Sequence, residues 1–196
     1  MAKHRIFYRR HLPHYQPPGA TLFVTFRLYG SLSQEQLEVP ERPPAASRSP
    51  EGATFARRER MLDCARSGPR WLADEEVAAM VAQSLHHLDG ERYDLLAYCI
   101  MPNHVHVVFT LPAAGEEERN SSLSSIMQSI KGYTARRANQ MLGRRGQFWQ
   151  DESYDRVIRD GAELERVLRY VINNPVKAGL VSTACDWKWT FCRWEL

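Results

Sequence analysis

The sequence predicts an α+β fold in which helices pack on one face of an antiparallel sheet. Three observations support this class. Strand-like apolar runs occur early, in the middle and late in the chain, two of them are joined by a dipeptide turn, and segments with helical periodicity separate the others. The chain has 196 residues, 43% hydrophobic and 25% charged. Because this is enough to build one core, we expect a single domain spanning residues 1–196.

The first part of the chain predicts a strand, an insertion and a helix. Residues 21–29 are rich in β-branched and aromatic side chains and are followed by Gly30, which favours a strand. Residues 38–52 are rich in proline and hold few large apolar side chains, so we expect a mobile insertion at about 31–70. Asp74 then stands at the N-cap position of a helix predicted over residues 75–88.

The middle of the chain predicts a β-hairpin and a long helix. Residues 93–101 and 104–111 are apolar, strand-like runs separated by the turn dipeptide Pro102-Asn103. From residue 122 to 142 the apolar side chains recur at helical spacing, and Gly143 ends the pattern.

The last part of the chain predicts a strand within residues 148–158 and a helix over residues 162–174 that Pro175 stops. A C-terminal tail follows at about 181–196. The element order β-α-β-β-α-β-α matches a ferredoxin-like (RRM-like) antiparallel sheet. In such a fold the helices cover one face and leave the other exposed, and the exposed face is where we expect the chemistry.

The composition favours a soluble, cytoplasmic protein with no membrane partner. No apolar run approaches the roughly 18 residues that a membrane-spanning helix needs. The basic N-terminus is not followed by the apolar stretch of a signal peptide. Four cysteines without a C-x-x-C pair indicate reduced thiols rather than a disulfide framework.

Two histidines flank a single valine in the second strand of the predicted hairpin. Because side chains alternate along a strand, His104 and His106 point to one face with their Cα atoms roughly 7 Å apart. That spacing would let both imidazoles bind one cation. Two histidines on the solvated face of an edge strand would give the same pattern, so the pair alone leaves metal binding open.

Tyr170 and Asn174 lie four residues apart on one face of the last predicted helix. If that face lies beside the histidines, the amide oxygen of Asn174 would complete a metal site and place the Tyr170 phenol next to it. The simpler interpretation is that Tyr170 packs in the core and Asn174 ends the helix. Tyr133 is a weaker candidate nucleophile, because it fits the apolar stripe of its helix and Arg137 follows four residues later.

Short motifs occur in a fixed order along most of the chain. They are Thr25–Arg27, Gly68–Leu72, Met101–His106, Ile130–Asn139, Gly146–Arg156, Tyr170–Leu180 and Asp186–Trp189. With His104-Val105-His106 as the histidine motif, this set resembles the HUH single-strand endonucleases with one catalytic tyrosine (Y1 type). Within them it is similar to the IS200-like transposases and the REP-associated tyrosine transposases.

The resemblance implies roles for these residues. Tyr170 would attack DNA, and His104, His106 and Asn174 would bind the metal. Some IS200-like members have glutamine at the position of Asn174. Imidazole and amide ligands favour Mg²⁺ or Mn²⁺ as the cofactor. The expected activity is metal-dependent nicking and joining of single-stranded DNA through a 5′-phosphotyrosine, with REP-like hairpin DNA as the substrate and a monomer or homodimer as the acting form.

A basic segment predicts where DNA is contacted. The net charge is only +3, yet no acidic residue occurs between Ile126 and Gln150. Phosphates would therefore be attracted to this segment. The expected contacts are Lys131, Arg136, Arg137, Arg144 and Arg145. Phe148 and Trp149 would either stack on unpaired bases or pack in the core.

Two other functions fit the same residues. A domesticated protein would bind hairpin DNA without cleaving it, and a phosphohydrolase would use the histidines with water as the nucleophile. The presence of His104, His106 and Tyr170 together favours the transposase-like nuclease.

Overall fold

The computed structural model describes residues 7–9, 13–33, 57, 60–63, 68–113 and 122–195. The strands and helices are β1 (Phe7–Arg9), β2 (Pro13–Tyr15), β3 (Thr21–Arg27), α1 (Glu75–His87), β4 (Asp94–Ile100), β5 (His104–Thr110), α2 (Leu123–Met141), β6 (Tyr154–Val157), α3 (Gly161–Lys177) and β7 (Thr190–Cys192). Short 3₁₀ helices cover Trp71–Ala73 and Ala184–Asp186. Most of the insertion expected at about 31–70 lies outside the described residues.

Five strands form an antiparallel sheet in the order β6-β3-β5-β4-β7, and β1 and β2 form a separate hairpin. The predicted turn at Pro102-Asn103 is confirmed, because the Met101 N–H donates to the His104 carbonyl at 2.9 Å. β5 pairs with β3 on one side and β4 on the other. It is therefore the central strand, and the alternative of a solvated edge strand is wrong.

One face of the sheet packs against α1 and α2. From β5 this face presents Val105, Val107 and Phe109, all fully buried. The two helices contribute their apolar stripes, chiefly Val77, Val81, Leu85, Ile126 and Ile130. Burial of each large apolar side chain contributes about 1.5–3 kcal/mol, so this layer forms the main core.

The opposite face packs against α3. Val167, Leu168 and Val171 bury the apolar stripe of this helix against Phe23 and Val108. The α+β, ferredoxin-like sheet is confirmed, but its second face is covered in part rather than left open. The physical reason is that α1 and α2 already fill the first face, so the α3 stripe can be buried only on the second. His104 and His106 alternate with Val105 and therefore point to this α3 face.

Polar caps fix the helix ends that the sequence predicts. Asp74 Oδ1 accepts hydrogen bonds from the Glu76 and Val77 amides at 3.0 and 3.1 Å, which starts α1. Ser122 caps α2 in the same way. Beyond α2, Gly143 takes a positive φ of 59°, a conformation that glycine adopts without strain.

Pro175 does not stop α3, so this expectation is wrong. Proline has no N–H to donate to the Val171 carbonyl, but the helix continues to Lys177 and the Ala178 N–H donates to the Asn174 carbonyl at 2.9 Å. The helix loses one internal hydrogen bond and gains an extra turn. Tyr170, Asn174 and Lys177 therefore lie on one continuous helix.

The tail expected at about 181–196 adds an edge strand to the sheet, because β7 pairs with β4. In the described part of the chain, every helix is too short or too polar to span a membrane.

Candidate active site

His104 and His106 face each other on the α3 side of β5. Both are 0% exposed, and their Nε2 atoms are 3.0 Å apart. The rings are nearly perpendicular, with an interplanar angle of 80°. Two imidazole lone pairs at this distance repel each other unless a proton or a cation lies between them. The pair is therefore arranged to share one or the other.

The remaining ring nitrogens are held by neighbours that set the tautomers. His104 Nδ1 is 2.7 Å from Asn103 Oδ1, and the Asn103 Nδ2 donates to the Leu62 carbonyl at 3.0 Å. Since this amide presents an acceptor to His104, Nδ1 carries the proton and the Nε2 lone pair faces the centre of the site. Thr25 Oγ1, 2.9 Å from His106 Nδ1, can accept a hydrogen bond from the N–H of the second ring in the same way.

Asn174 supplies a third polar group to the same point. Its side chain is fully buried, and its Nδ2 lies 3.2 Å from His106 Nε2. Its Oδ1 is buried with no hydrogen-bond partner in the described part of the chain. A buried amide oxygen without a partner is costly, at about 1–3 kcal/mol. Rotation of the amide by half a turn exchanges the two atoms and points Oδ1 at the histidines.

These residues fit a divalent cation with nitrogen and oxygen ligands. The described residues contain no group of three or more His, Cys, Asp or Glu side chains spaced to bind a metal. The Asn174 oxygen offers a third ligand beside the two histidine nitrogens. Cys99 pairs with His106 across the strands. Burial raises the pKa of its thiol to about 12, so without a bound cation the thiol stays protonated and offers no thiolate ligand.

Asp63 is a site residue that the sequence analysis missed. It lies in the helical segment 60–63, its side chain is 4% exposed, and its Oδ1 is 3.8 Å from His104 Nε2. Lys177 Nζ is 3.3 Å from Asp63 Oδ2. Asp63 lies within the segment that the sequence analysis interpreted as an insertion, and no motif there indicated that it would reach the histidines. Asp63 brings a negative charge to the edge of the histidine pair.

Tyr170 lies beside the histidine pair and is half-buried. Its ring centroid is 5.5 Å from that of His106 and 6.0 Å from that of Phe23. Lys177 Nζ lies 5.1 Å from the same ring centroid. Tyr170 also lines an open cavity of about 360 Å³. The fold thus brings Tyr170 and Asn174 close to the histidines. The sequence alone had not determined whether this face of the helix lies beside them.

Tyr133 lies on the other side of the sheet. It is 46% exposed, so the expectation that it packs within an apolar stripe is wrong. Its helix, α2, buries Ile126 and Ile130 against the face that presents Val105. Tyr133 is therefore not beside the histidine pair.

Two of the predicted DNA-contacting cations hold the protein's own chain. Lys131 Nζ donates to the Gln150 and Asp151 carbonyls at 2.5 and 2.8 Å. The Arg144 guanidinium lies 3.5 Å from the centroid of a Trp71 ring. Both fasten the segment that follows α2.

The other three predicted cations are exposed. Arg136 and Arg137 lie on the solvent side of α2, and Arg145 lies just beyond its end. They are free of the core and can be reached by a polyanion.

Phe148 and Trp149 belong to the core, which corrects the expectation that they stack on DNA bases. They are 1% and 4% exposed. Trp149 packs edge-on against Phe26 with ring centroids 4.8 Å apart, and its Nε1 donates to Thr134 Oγ1 at 2.8 Å. Bases cannot reach rings buried in this way. The apolar pattern suited both interpretations, and only packing separates them.

The site thus consists of a histidine pair on the central strand of an antiparallel α+β sheet and a tyrosine on the helix that covers that face, which is the arrangement expected of a transposase-like protein. This chain belongs to the IS200-like transposase family, since the family model described as "Transposase IS200 like" matches residues 70–174. The matched range includes both histidines, Tyr170 and Asn174.

Two curated relatives have similar sequences. A putative REP-associated tyrosine transposase of Haemophilus influenzae is 27% identical over 107 residues, which are 50% of this chain and 58% of the relative. A REP-associated tyrosine transposase of Escherichia coli is 27% identical over 95 residues, which are 48% of this chain and 52% of the relative. The chain thus spans about half the length of the curated relatives it matches.

A solved structure shares the fold. It is a REP-associated tyrosine transposase bound to a REP hairpin, and it matches with a TM-score of 0.56 and 19% sequence identity. The match covers 97% of this chain and 82% of that chain. At this identity the similarity establishes a common architecture.

Proposed function

We propose that this chain is a metal-dependent single-strand DNA endonuclease and strand transferase that acts through a 5′-phosphotyrosine. One observation carries the proposal: the unpartnered buried oxygen of Asn174 and the facing histidine nitrogens lie beside an accessible phenol. A cation site next to a nucleophile suits phosphodiester transfer by a tyrosine. The geometry of these four side chains supports the proposed activity.

His104, His106 and Asn174 would hold the cation, Mg²⁺ or Mn²⁺. Asn103 and Thr25 orient the two rings, so that both Nε2 lone pairs would face the centre of the site. When bound, such a cation polarises a non-bridging phosphate oxygen and offsets its charge. Asp63 would add to the negative potential that attracts a cation to this point.

Tyr170 would act as the nucleophile. Its phenol oxygen forms a bond to the phosphorus of the scissile phosphodiester, and the bond from phosphorus to the 3′ oxygen breaks. The phenol proton passes to solvent, and the departing oxygen takes up a proton to become a 3′-hydroxyl. Attack by another 3′-hydroxyl reverses these steps and joins two strands. One phosphodiester bond is exchanged for another, so no ATP is consumed.

Lys177 would assist Tyr170. A phenol has a reference pKa of about 10 and is mostly protonated at neutral pH, so developing phenolate charge needs a neighbouring cation. The Lys177 ammonium lies 5.1 Å from the ring centroid and is held there by Asp63. It would stabilise negative charge on the phenol both during attack and when Tyr170 is released.

The proposed substrate is hairpin DNA with adjoining single-stranded DNA. This follows the solved relative, which is bound to a REP hairpin. Exposed Arg136, Arg137 and Arg145 would contribute phosphate contacts without reading sequence. Lys131 and Arg144 would act indirectly, by holding the segment after α2 in place.

A covalent-adduct assay tests the proposal. A pool of 3′-end-labelled hairpin oligonucleotides with randomised single-stranded arms is incubated with Mn²⁺ and the protein, then denatured and resolved by size. We expect a labelled adduct with the wild type and with Tyr133→Phe, and none with Tyr170→Phe. Tyr133→Phe is the matched control because it removes the same atom from an exposed tyrosine outside the site.

Each of the other possible results would change the proposal in a different way. An adduct that persists in Tyr170→Phe would overturn the choice of nucleophile. Metal-dependent cleavage by the wild type without an adduct would indicate a phosphohydrolase with a water nucleophile. Tight hairpin binding with neither cleavage nor adduct would indicate a domesticated binding protein.

A further inference from the structure

One positively charged side chain of the Tyr170 cavity has no role in the site described so far. The cavity is lined by Phe23, Arg156, Glu163, Arg166, Val167 and Tyr170. Phe23 and Val167 provide an apolar wall, and the charged groups lie around it. Two arginines and one glutamate leave the cavity with an excess of positive charge.

The neighbouring arginines are paired with carboxylates. Arg156 forms a close ion pair with Glu163, which also accepts a hydrogen bond from the Arg159 backbone N–H. On the outer side of α3, Arg169 bonds to Glu165 one turn earlier, at 2.9 Å. These pairs neutralise the arginines that take part in them.

Arg166 differs from these neighbours. It is exposed, and it makes no ion pair, hydrogen bond or ring contact with any residue in the described ranges. The excess charge of the cavity therefore resides on Arg166. A planar guanidinium with unused donors is well suited to bind a phosphate oxygen pair.

The position of Arg166 relates it directly to Tyr170 and Asn174. These three residues follow each other at intervals of four along α3, so they lie in one row on the helix surface. Each step in the row advances about 6 Å along the helix axis. A strand that places one phosphate at the histidine pair would pass Tyr170 and bring another phosphate to Arg166.

We propose that Arg166 binds a backbone phosphate of the single strand next to the phosphate that Tyr170 attacks. The inference rests on the proposed function, because it takes the substrate to be single-stranded DNA in this cavity. Arg166 is a positioning residue. It fixes the strand along α3, whereas the reacting phosphate is held at the other end of the row.

The test compares Arg166→Gln with Arg169→Gln. Both changes remove one exposed positive charge from the same helix and keep a good helix-forming residue. Binding is measured by fluorescence anisotropy in EDTA, so that the metal-dependent reaction does not start, at several salt concentrations. The probes are a labelled blunt hairpin and the same hairpin with a single-stranded arm.

For Arg166→Gln we expect about tenfold weaker binding of the armed hairpin. The slope of log Kd against log salt concentration should fall by about 0.7, the value for one phosphate contact on a single strand. Binding of the blunt hairpin should be unchanged. Arg169→Gln should match the wild type on both probes, because that guanidinium is already paired with Glu165.

Three results would overturn the inference. They are equal effects of the two substitutions, equal loss by Arg166→Gln on armed and blunt hairpins, or no preference of the wild type for the armed probe. None of these outcomes depends on adduct formation. A wild-type adduct with an unchanged salt slope in Arg166→Gln would remove the role of Arg166 and leave the nuclease proposal standing. A smaller salt slope in Arg166→Gln without a wild-type adduct would remove the nuclease proposal and leave the phosphate contact of Arg166 standing.

Discussion

α2 and α3 pack on opposite faces of one sheet, and each carries one tyrosine and two arginines. On α2, Tyr133 is exposed to solvent on the opposite side of the sheet from the histidine pair, and Lys131 is engaged by the protein's own carbonyl groups. On α3, Tyr170 lies against His106, with Lys177 over its ring. The two helices carry similar side chains, but the second is the one that faces the histidine pair.

The difference comes from the two sides of β5. Val105 and Val107 face α2, and His104 and His106 face α3. Alternation along one central strand thus makes one face of the sheet a core and the other a site. A dense run of basic residues in a helix does not locate a site, because these side chains can serve packing and loop attachment instead.

The largest effect should come from the core on the α2 side. We expect Trp149→Ala to lower the free energy of unfolding by about 3–5 kcal/mol, since it removes a buried indole and leaves a cavity. Urea denaturation measures this change. Tyr133→Ala, at an exposed position of α2, should change stability by less than about 0.5 kcal/mol. If Trp149→Ala kept its stability but bound DNA more weakly, the α2 side would contain a DNA-binding surface at Trp149 instead of a core.

The next effect should appear on the α3 side. We expect Asn174→Ala to weaken Mn²⁺ binding at least 10- to 100-fold, a loss typical of disrupted metal sites. Asn173→Ala is the matched control, because Asn173 is exposed and bonds only to the Arg169 carbonyl among its described contacts. Titration followed by electron paramagnetic resonance measures free Mn²⁺. Equal affinity of the two variants would exclude Asn174 as a ligand.

In EDTA, Asn174→Ala should lose little stability. The substitution removes a buried oxygen that has no partner among the described residues, and this offsets part of the lost packing. Thermal unfolding with and without Mn²⁺ checks this. The wild type should gain stability on adding the ion, and Asn174→Ala should gain much less.

A smaller effect should separate two adjacent arginines at the end of α2. Arg144 lies on the Trp71 ring, so Arg144→Gln should lower stability by about 0.5–1 kcal/mol. Arg145 is exposed, so Arg145→Gln should leave stability unchanged and lower the salt dependence of hairpin binding. Urea denaturation and anisotropy measure the two properties. Identical behaviour of both variants would contradict the division between structural and DNA-facing cations.

The smallest change should be seen in thiol reactivity, which checks the ligand chemistry of the α3 side. Burial raises the pKa of Cys99 to about 12, so at pH 8 almost none of it is thiolate. Iodoacetamide should label exposed Cys185 and spare Cys99 in the folded protein. Labelling of Cys99 should rise only as the pH approaches 12 or as the protein unfolds. Rapid labelling of Cys99 at pH 8, read by mass spectrometry, would reopen the question of a sulfur ligand.

The sequence by itself determined the local elements. The Pro102-Asn103 turn, the Asp74 cap and the alternation of His104 and His106 depend on residues close together in the chain, so their patterns are legible without the fold. The interval between Tyr170 and Asn174 belongs to the same category, because helical spacing sets it. The ordered motifs around these residues were enough to indicate the family.

Only the tertiary structure decided which of these residues meet. It placed β5 at the centre of the sheet, brought Asp63 to His104, and buried Phe148 and Trp149. It also carried α3 through Pro175, so that Lys177 reaches Tyr170. Each of these outcomes depends on contacts between residues far apart in sequence, and no local pattern records them. Burial in particular is set by what covers a side chain, so one apolar pattern served equally for a core and for a base-stacking surface.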